Sequence, residues 1–185
     1  MTFLILGLAV FIGVHFIPLV PAVRGALVAR IGEKPYKRLF VLTSFAGLGL
    51  IIYGYGQKDI IDLWGPEPWA REVAMALMPL VIILLTMADM KTVTRQKLRH
   101  PMMIGVLAWA TIHLLNNGDL ASLMLFGSFA AYAVISVVSA EIRGHRRGDG
   151  RAALKYDIMA VVGGCVLYAV ILYAHGFLFG MPVLR

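Results

Sequence analysis

The fold is decided by residues 98–119, which read LRHPMMIGVLAWATIHLLNNGD. Pro101 is well suited to the first turn of a helix, and it is followed by a mostly apolar run that ends in the polar segment 116–119. The run approaches the length that an α-helix needs to cross a bilayer core of roughly 30 Å. The segment therefore predicts a membrane-crossing helix that carries His113 near its far end.

The rest of the chain has the same character. It has 185 residues, of which 60% are hydrophobic, and its mean hydropathy of +0.82 is too high for a soluble domain of this size. The composition predicts an all-α fold, a polytopic bundle of six transmembrane helices that forms a single domain over residues 1–185. The predicted spans are residues 2–20, 38–56, 72–88, 102–117, 120–140 and 158–180.

The link between the fourth and fifth spans is very short. Gly118 is able to adopt a positive φ at the end of one helix, and Asp119 is suited to cap the start of the next. A link of this length leaves the two helices no choice but to run antiparallel, side by side. The sequence therefore predicts a helical hairpin around residues 116–119.

The formal net charge of +7 is explained by topology. Basic residues cluster in alternate loops, which lie on one side of a bundle with six spans. The positive-inside rule places these loops in the cytoplasm and both termini in the periplasm. The positive charge of the loops is then explained by the anionic headgroups of the bilayer rather than by nucleic acid. The basic residues are Arg24, Arg30, Lys34, Lys37 and Arg38, then Lys91, Arg95, Lys97 and Arg99, then Arg143, Arg146, Arg147, Arg151 and Lys155.

Three histidines are the ionisable residues well inside the predicted spans. A rise of 1.5 Å per residue places His15 and His113 within one to two helical turns of each other in depth, whereas His175 falls nearer the outer surface. Neutral imidazoles on antiparallel helices near the middle of the bilayer suit axial ligation of a haem. His15 with His113 is the best-matched pair, His113 with His175 is the next, and a structural hydrogen bond is the alternative for each.

Polar residues at the two ends of the fourth span suggest a secondary site. Arg99 and His100 precede a helix N-terminus, where they either bind a carboxylate or phosphate or anchor the helix at the headgroups. Asn116 and Asn117 share a helix face with His113, and they either orient a ligand or cap the helix. His145 is predicted to be a solvated loop residue.

The ordered motifs resemble those of the bacterial NnrU family along essentially the whole chain. They are His15, the segments 36–40 and 63–64, and above all Arg99-His100-Pro101-x-x-x-Gly105, continuing through Trp109 and His113 to 117–119. The resemblance implies a multi-pass protein of the bacterial inner membrane that supports denitrification, with components of the nitrite and nitric oxide reductases as partners.

The chain is also similar to the plant zeta-carotene isomerase, which shares this domain and is a haem b protein. Carried over by position, the proposed haem ligands of that enzyme fall on His15 and His113. The isomerase has further helices that this chain lacks, so the resemblance implies haem b more directly than it implies isomerase-like redox chemistry.

Two alternatives remain open. The Arg-His-Pro-x-x-x-Gly segment is similar to one in the isoprenylcysteine methyltransferase group, which implies S-adenosylmethionine held by Arg99, His100 and Glu141. The other alternative is a non-catalytic scaffold for reductase assembly.

Overall fold

The described residues fold almost entirely into helices. The computed structural model describes residues 1–88, 90–144, 152–180 and 183, so His145 and the basic residues at 146, 147 and 151 lie outside the described residues. The helices are α1 Thr2–Phe16, α2 Pro21–Ile31, α3 Glu33–Gly56, α4 Ala70–Thr86, α5 Val93–Leu98, α6 Pro101–Asn116, α7 Leu120–Ile142 and α8 Leu154–Phe179. The predicted all-α class is confirmed for these residues.

Each of the six predicted spans corresponds to one helix. Four helices are long and apolar enough to cross a membrane, namely α1 with the 3₁₀ turn Ile17–Leu19 that extends it, α3, α7 and α8. Helices α4 and α6 have 17 and 16 residues, which is shorter than a full crossing requires. The structure thus supports a membrane protein with four candidate spans, and six crossings stay a prediction.

Two helices were not anticipated. The segments that hold α2 and α5 were expected to be charged loops, yet both are helical. Helix α2 begins at Pro21, and none of its residues is buried. Helix α5 begins after Thr92, whose hydroxyl accepts a hydrogen bond from the backbone N–H of Arg95 at 3.0 Å. Both are local surface helices that composition alone does not distinguish from loops.

Four helices enclose the main core. Leu4 and Leu8 of α1 pack with Ile51 of α3, Ala110 of α6 and Leu125 of α7. A smaller cluster at Leu84, Met87 and Ala160 joins α4 to α8, and α4 in turn packs against α6. Within the part of the chain that the structure describes, α8 packs chiefly against α4.

Helices α1 and α3 approach each other through glycine. A Cβ atom on Gly7 would lie 2.6 Å from the backbone nitrogen of Ile51, and one on Gly47 would lie 2.8 Å from that of Phe11. A Cβ atom on Gly54 would overlap the backbone nitrogen of Leu4. Glycine is therefore required at each position by the contact between the two backbones, as in closely packed membrane helices.

The bundle has two chemically different ends. At the basic end, Arg143 hydrogen bonds to the carbonyl of Leu19, and the backbone N–H of Val93 donates to Asp157, so the described parts of the three basic loops meet there as predicted. At the loop end, residues 57–69 cover the hairpin tip at 116–119. Helix α1 begins and α8 ends at the loop end. The cytoplasmic placement of the basic end stays a prediction.

The glycine contact gives a matched pair of substitutions on α3. Gly54→Ala is expected to lower the free energy of unfolding by about 1–3 kcal/mol, because the added methyl group pushes α1 away. Gly49→Ala is expected to leave it unchanged, since nothing lies within 4 Å of that position. The measurement is the unfolding midpoint of each purified variant in an SDS titration. Equal midpoints for the two variants would contradict the assigned contact.

Candidate functional site

His15 lies near the end of α1, within a cage of aromatic rings. Its Nδ1 atom is 2.6 Å from the carbonyl oxygen of Phe11, one turn earlier. The imidazole stacks on the ring of Phe11 with 4.3 Å between centroids, and it meets Phe40 of α3 and Tyr132 of α7 edge-on at 5.0 and 6.0 Å. Three helices therefore fix the position of this ring.

His113 has the same local arrangement on α6. Its Nδ1 atom is 2.9 Å from the carbonyl oxygen of Trp109, again one turn earlier. The imidazole stacks on Phe126 of α7 with 4.6 Å between centroids, and the indole of Trp109 lies 5.0 Å away. The two histidines thus share a backbone hydrogen bond and a stacked aromatic neighbour.

The shared hydrogen bond determines which ring nitrogen carries the hydrogen. A carbonyl oxygen only accepts, so Nδ1 of His15 and of His113 must donate, and in the neutral ring Nε2 is left with its lone pair. Imidazoles that bind metals through one nitrogen usually donate the other N–H to a carbonyl or carboxylate in this way. The donor chemistry of both residues therefore fits a haem iron.

The two imidazoles lie at opposite ends of one row of rings. His15 contacts Tyr132, and His113 contacts Phe126, six residues away on α7, so their contacts are about 9 Å apart along the helix. This agrees with the one to two turns expected from the sequence. We call the connected rings of His15, Phe11, Phe129, Trp109 and His113 the aromatic row, in which Phe129 lies 5.4 Å from Phe11 and 5.5 Å from Trp109.

His175 lies on the last turns of α8. Its ring meets that of Phe179, with 5.0 Å between centroids, and it is close enough to His113 for the two imidazoles to interact electrostatically. His113 thus has two histidines nearby, one along the aromatic row and the other on α8. The second-ranked pairing from sequence, His113 with His175, remains relevant to any test of ligation.

Arg99 and His100 are held by a carboxylate from α7. A guanidinium nitrogen of Arg99 lies 2.8 Å from Oε2 of Glu141, and Nε2 of His100 lies 2.6 Å from Oε1. The anion expected at this helix start is therefore supplied by the chain itself. Arg99 has a φ of 55°, a backbone conformation that residues other than glycine adopt only at a cost in energy. The ion pairs with Glu141 help to offset that cost.

The two asparagines at the end of α6 have different partners. The side-chain amide of Asn116 donates to the carbonyls of Ala70 and Ile112 at 3.1 and 2.9 Å, and that of Asn117 donates to the carbonyl of His113 at 2.9 Å. The His113 carbonyl is one of the last four of α6, which a helix end leaves without backbone partners. Asn117 therefore caps α6, whereas Asn116 ties its last turn to the start of α4.

A buried polar network lies beside this cap, and sequence reasoning missed most of it. The carboxylate of Asp119 caps α7 by accepting from the backbone N–H of Ser122 at 3.0 Å, as predicted. It also accepts from Lys58 at 2.7 Å and from the Ser122 hydroxyl at 2.6 Å. Tyr55 lies 2.7 Å from the same hydroxyl, and the Lys58 ammonium lies 4.1 Å from its ring centroid. The one sign of this network in the sequence was Lys58, a lysine without an evident partner just after the end of α3.

Gly118 is needed for space rather than for its conformation. The expectation of a positive φ is wrong, since the described glycines with positive φ are Gly32, Gly144 and Gly180. A Cβ atom on Gly118 would instead overlap the carbonyl oxygen of Trp64. The Gly118 carbonyl accepts from the backbone N–H groups of Leu63 and Trp64 at 2.8 and 3.0 Å. The loop is thus pinned directly to the hairpin backbone.

The network keeps both Asp119 and Lys58 in their charged forms. Burial disfavours the Asp119 carboxylate, but the hydrogen bonds from Lys58 and Ser122 outweigh it and lower the pKa of Asp119 below its ordinary 3.8. Burial likewise disfavours the Lys58 ammonium, yet the bond to Asp119 and the nearby Tyr55 raise the pKa of Lys58 above 10.5. The pair therefore stabilises the fold at pH values between the pKa of Asp119 and the pKa of Lys58. Below this range Asp119 loses its charge, and above it Lys58 loses its charge.

Asp119→Asn tests this pH dependence. At neutral pH the variant is expected to melt at a lower temperature than the parent protein. The difference is expected to shrink as the pH falls below the ordinary carboxyl value of 3.8, where the parent protein loses the same charge. Melting in detergent, followed by circular dichroism from pH 7 to about pH 3, measures this. Asp59→Asn, on the same loop, is the control, and an Asp119→Asn deficit that persists at low pH would contradict the assignment.

Comparison with known proteins places the chain in a family. The model of the family described as "NnrU protein" matches residues 3–183, which is nearly the whole chain and includes every residue of the aromatic row. No curated protein matches the chain, and no solved structure matches it. The family match agrees with the resemblance carried by the ordered motifs, and this chain belongs to the NnrU family.

Proposed function

We propose that this NnrU-type membrane protein binds b-type haem through His15 and His113 and supports nitrogen-oxide metabolism in the inner membrane of a denitrifying bacterium. The observation that carries the proposal is the matched state of the two imidazoles. Each donates Nδ1–H to the carbonyl one turn earlier, stacks on an aromatic ring, and keeps Nε2 as a lone-pair donor.

The residues around the imidazoles suit an apolar macrocycle. The carbonyls of Phe11 and Trp109 fix the tautomer and orientation of the two rings, which makes Nε2 more basic and limits the ways in which it can turn. Phe129 contributes a further apolar ring between those of Phe11 and Trp109. When bound, haem would supply an iron that changes oxidation state and, where only one histidine binds that iron, a position for a small gaseous ligand. Sensing, electron transfer and haem handling are the roles open to such a protein.

The spacing of the imidazoles bears on whether one histidine or both would bind the haem iron. Two nitrogens bound to a single iron lie about 4 Å apart, taking a metal–nitrogen distance of roughly 2 Å. The contacts of His15 and His113 on α7 are about 9 Å apart along its axis. Ligation of a single iron by both residues would therefore require the rings of the aromatic row to shift. The spectroscopic test is designed to distinguish these cases.

The test is the absorption spectrum of protein purified from cells supplied with haem. The parent protein is expected to show a Soret band that shifts on reduction. If both histidines ligate, His15→Ala and His113→Ala each lose the low-spin spectrum and most of the haem. If only one histidine binds the iron, only the substitution of that histidine loses the low-spin spectrum and most of the haem. His175→Ala is the matched control, since it also removes an intramembrane imidazole, and it is expected to keep the band.

Two outcomes would overturn parts of this proposal, and a third would disqualify a variant. Colourless protein, with no Soret change on titration with haem, would remove haem altogether and leave the scaffold role, which recovery of reductase subunits in pull-downs would support. A band lost in His175→Ala but kept in His15→Ala would move the second ligand to α8. Loss of the helical circular dichroism signal in a variant would mark that variant as misfolded, and conservative substitution by glutamine would then replace it.

Methyl transfer is the second candidate, and one observation favours it. Arg99, His100 and Glu141, which the methyltransferase resemblance singles out, meet at the basic end. Against a cofactor site, both carboxylate oxygens of Glu141 are engaged by the other two side chains. On the haem proposal, millimolar S-adenosylmethionine is expected to cause no heat of binding and no thermal stabilisation. Saturable binding lost in His100→Ala would favour methyl transfer instead.

A further inference from the structure

The chain changes direction sharply where α1 reaches the basic end. Helix α1 stops at Phe16, the 3₁₀ turn Ile17–Leu19 follows, and Val20 is extended with φ −112° and ψ 92° before α2 begins. Pro18 and Pro21 enforce this break, since neither can donate a backbone hydrogen bond to continue α1. The diverging backbone opens a groove against the last turns of α7.

The groove is apolar along its length and polar at its mouth. Its volume is about 450 Å³, and Val138 and Ile142 on its α7 wall are 49% and 81% exposed, so it opens towards the lipid. Apart from Ser139 and Arg143 at the mouth, its lining is wholly apolar: Leu19, Val20, Pro21, Val134, Ile135, Val138 and Ile142. The groove thus joins a hydrocarbon surface to a single cation.

Arg143 has no acidic partner among the described residues. Its guanidinium donates to the carbonyl of Leu19 and the hydroxyl of Ser139. The nearby carboxylate of Glu141 is engaged by Arg99 and His100. A guanidinium has five N–H donors, so these two bonds leave Arg143 with donors to spare at the mouth and, among the described residues, with a charge that no carboxylate offsets.

We propose that this groove is a binding site for an anionic phospholipid, whose acyl chain lies against α7 and whose phosphate pairs with Arg143. An apolar groove that ends in an unpaired cation complements a molecule with a hydrocarbon tail and an anionic head. The surroundings favour a lipid of the bilayer itself, because the groove opens at the basic end, where basic residues cluster. The site does not depend on haem binding.

A second groove on α3 also combines basic and apolar residues. It is lined by Lys37, Arg38, Val41 and Leu42, with Val41 and Leu42 exposed towards lipid. It shows that cations above exposed apolar surface recur at the basic end. The groove at Arg143 differs because two backbone segments enclose it and the chain itself fixes its cation.

Native mass spectrometry of the full chain tests the site. The protein is released from detergent after incubation with dioleoyl phosphatidylglycerol or dioleoyl phosphatidylcholine, which share acyl chains and differ in charge. The parent protein is expected to retain the anionic lipid preferentially. Arg143→Gln is expected to weaken that retention about fivefold, the effect of one basic residue at a lipid surface. Val138→Trp, which fills the groove, is expected to weaken retention of both lipids.

Two further variants separate the site from general charge and from folding. Arg143→Lys keeps the charge and is expected to preserve the preference for phosphatidylglycerol. Lys155→Gln removes an exposed cation at the basic end outside the groove and is expected to have no effect. Equal retention of the two lipids by the parent protein, or equal losses in Lys155→Gln and Arg143→Gln, would overturn the proposal. Unchanged retention in a folded Val138→Trp would do so as well.

Discussion

Close contact between helix backbones is the interaction on which the rest of this structure depends. In lipid there is no hydrophobic drive between helices, so tight packing has to hold them together. Gly7, Gly47 and Gly54 bring α1 against α3, and Gly164 brings α8 against Ile83 of α4. These contacts place α1 where its histidine reaches α7, and they attach α8 to a bundle whose core it does not enter.

The sequence predicts the helices well because their signals are local. Apolar runs mark all six long helices, Pro101 begins α6, and Asp119 caps α7 as expected. The surface helices α2 and α5 escape prediction, since both are short, lie in segments rich in basic residues and bury none of their residues. The reason for Gly118 also escapes it, because the group that demands a glycine there is the carbonyl of Trp64, far away in the chain.

The candidate site likewise has local features that the sequence predicts and long-range contacts that it does not. The rise per residue places His15 and His113 at neighbouring depths, and their hydrogen bonds to carbonyls one turn earlier are local consequences of the helix. Phe40, Tyr132 and Phe126, which also enclose them, come from other helices, as does the carboxylate that reaches His100 from 41 residues away. Composition cannot reveal such partners. It therefore indicated where the imidazoles lie but not which rings surround them or which anion the helix start receives.

The pinned loop has a consequence for the order in which the protein is assembled. Lys58 and Asp119 are 61 residues apart in the chain, so α1 and α3 emerge from the ribosome and pair long before the hairpin that closes the loop end exists. In that interval Lys58 lacks Asp119, and the backbone N–H groups of Leu63 and Trp64 lack the Gly118 carbonyl. A nascent chain halted after α4 therefore has an open loop end, which closes only when α6 is complete and α7 begins.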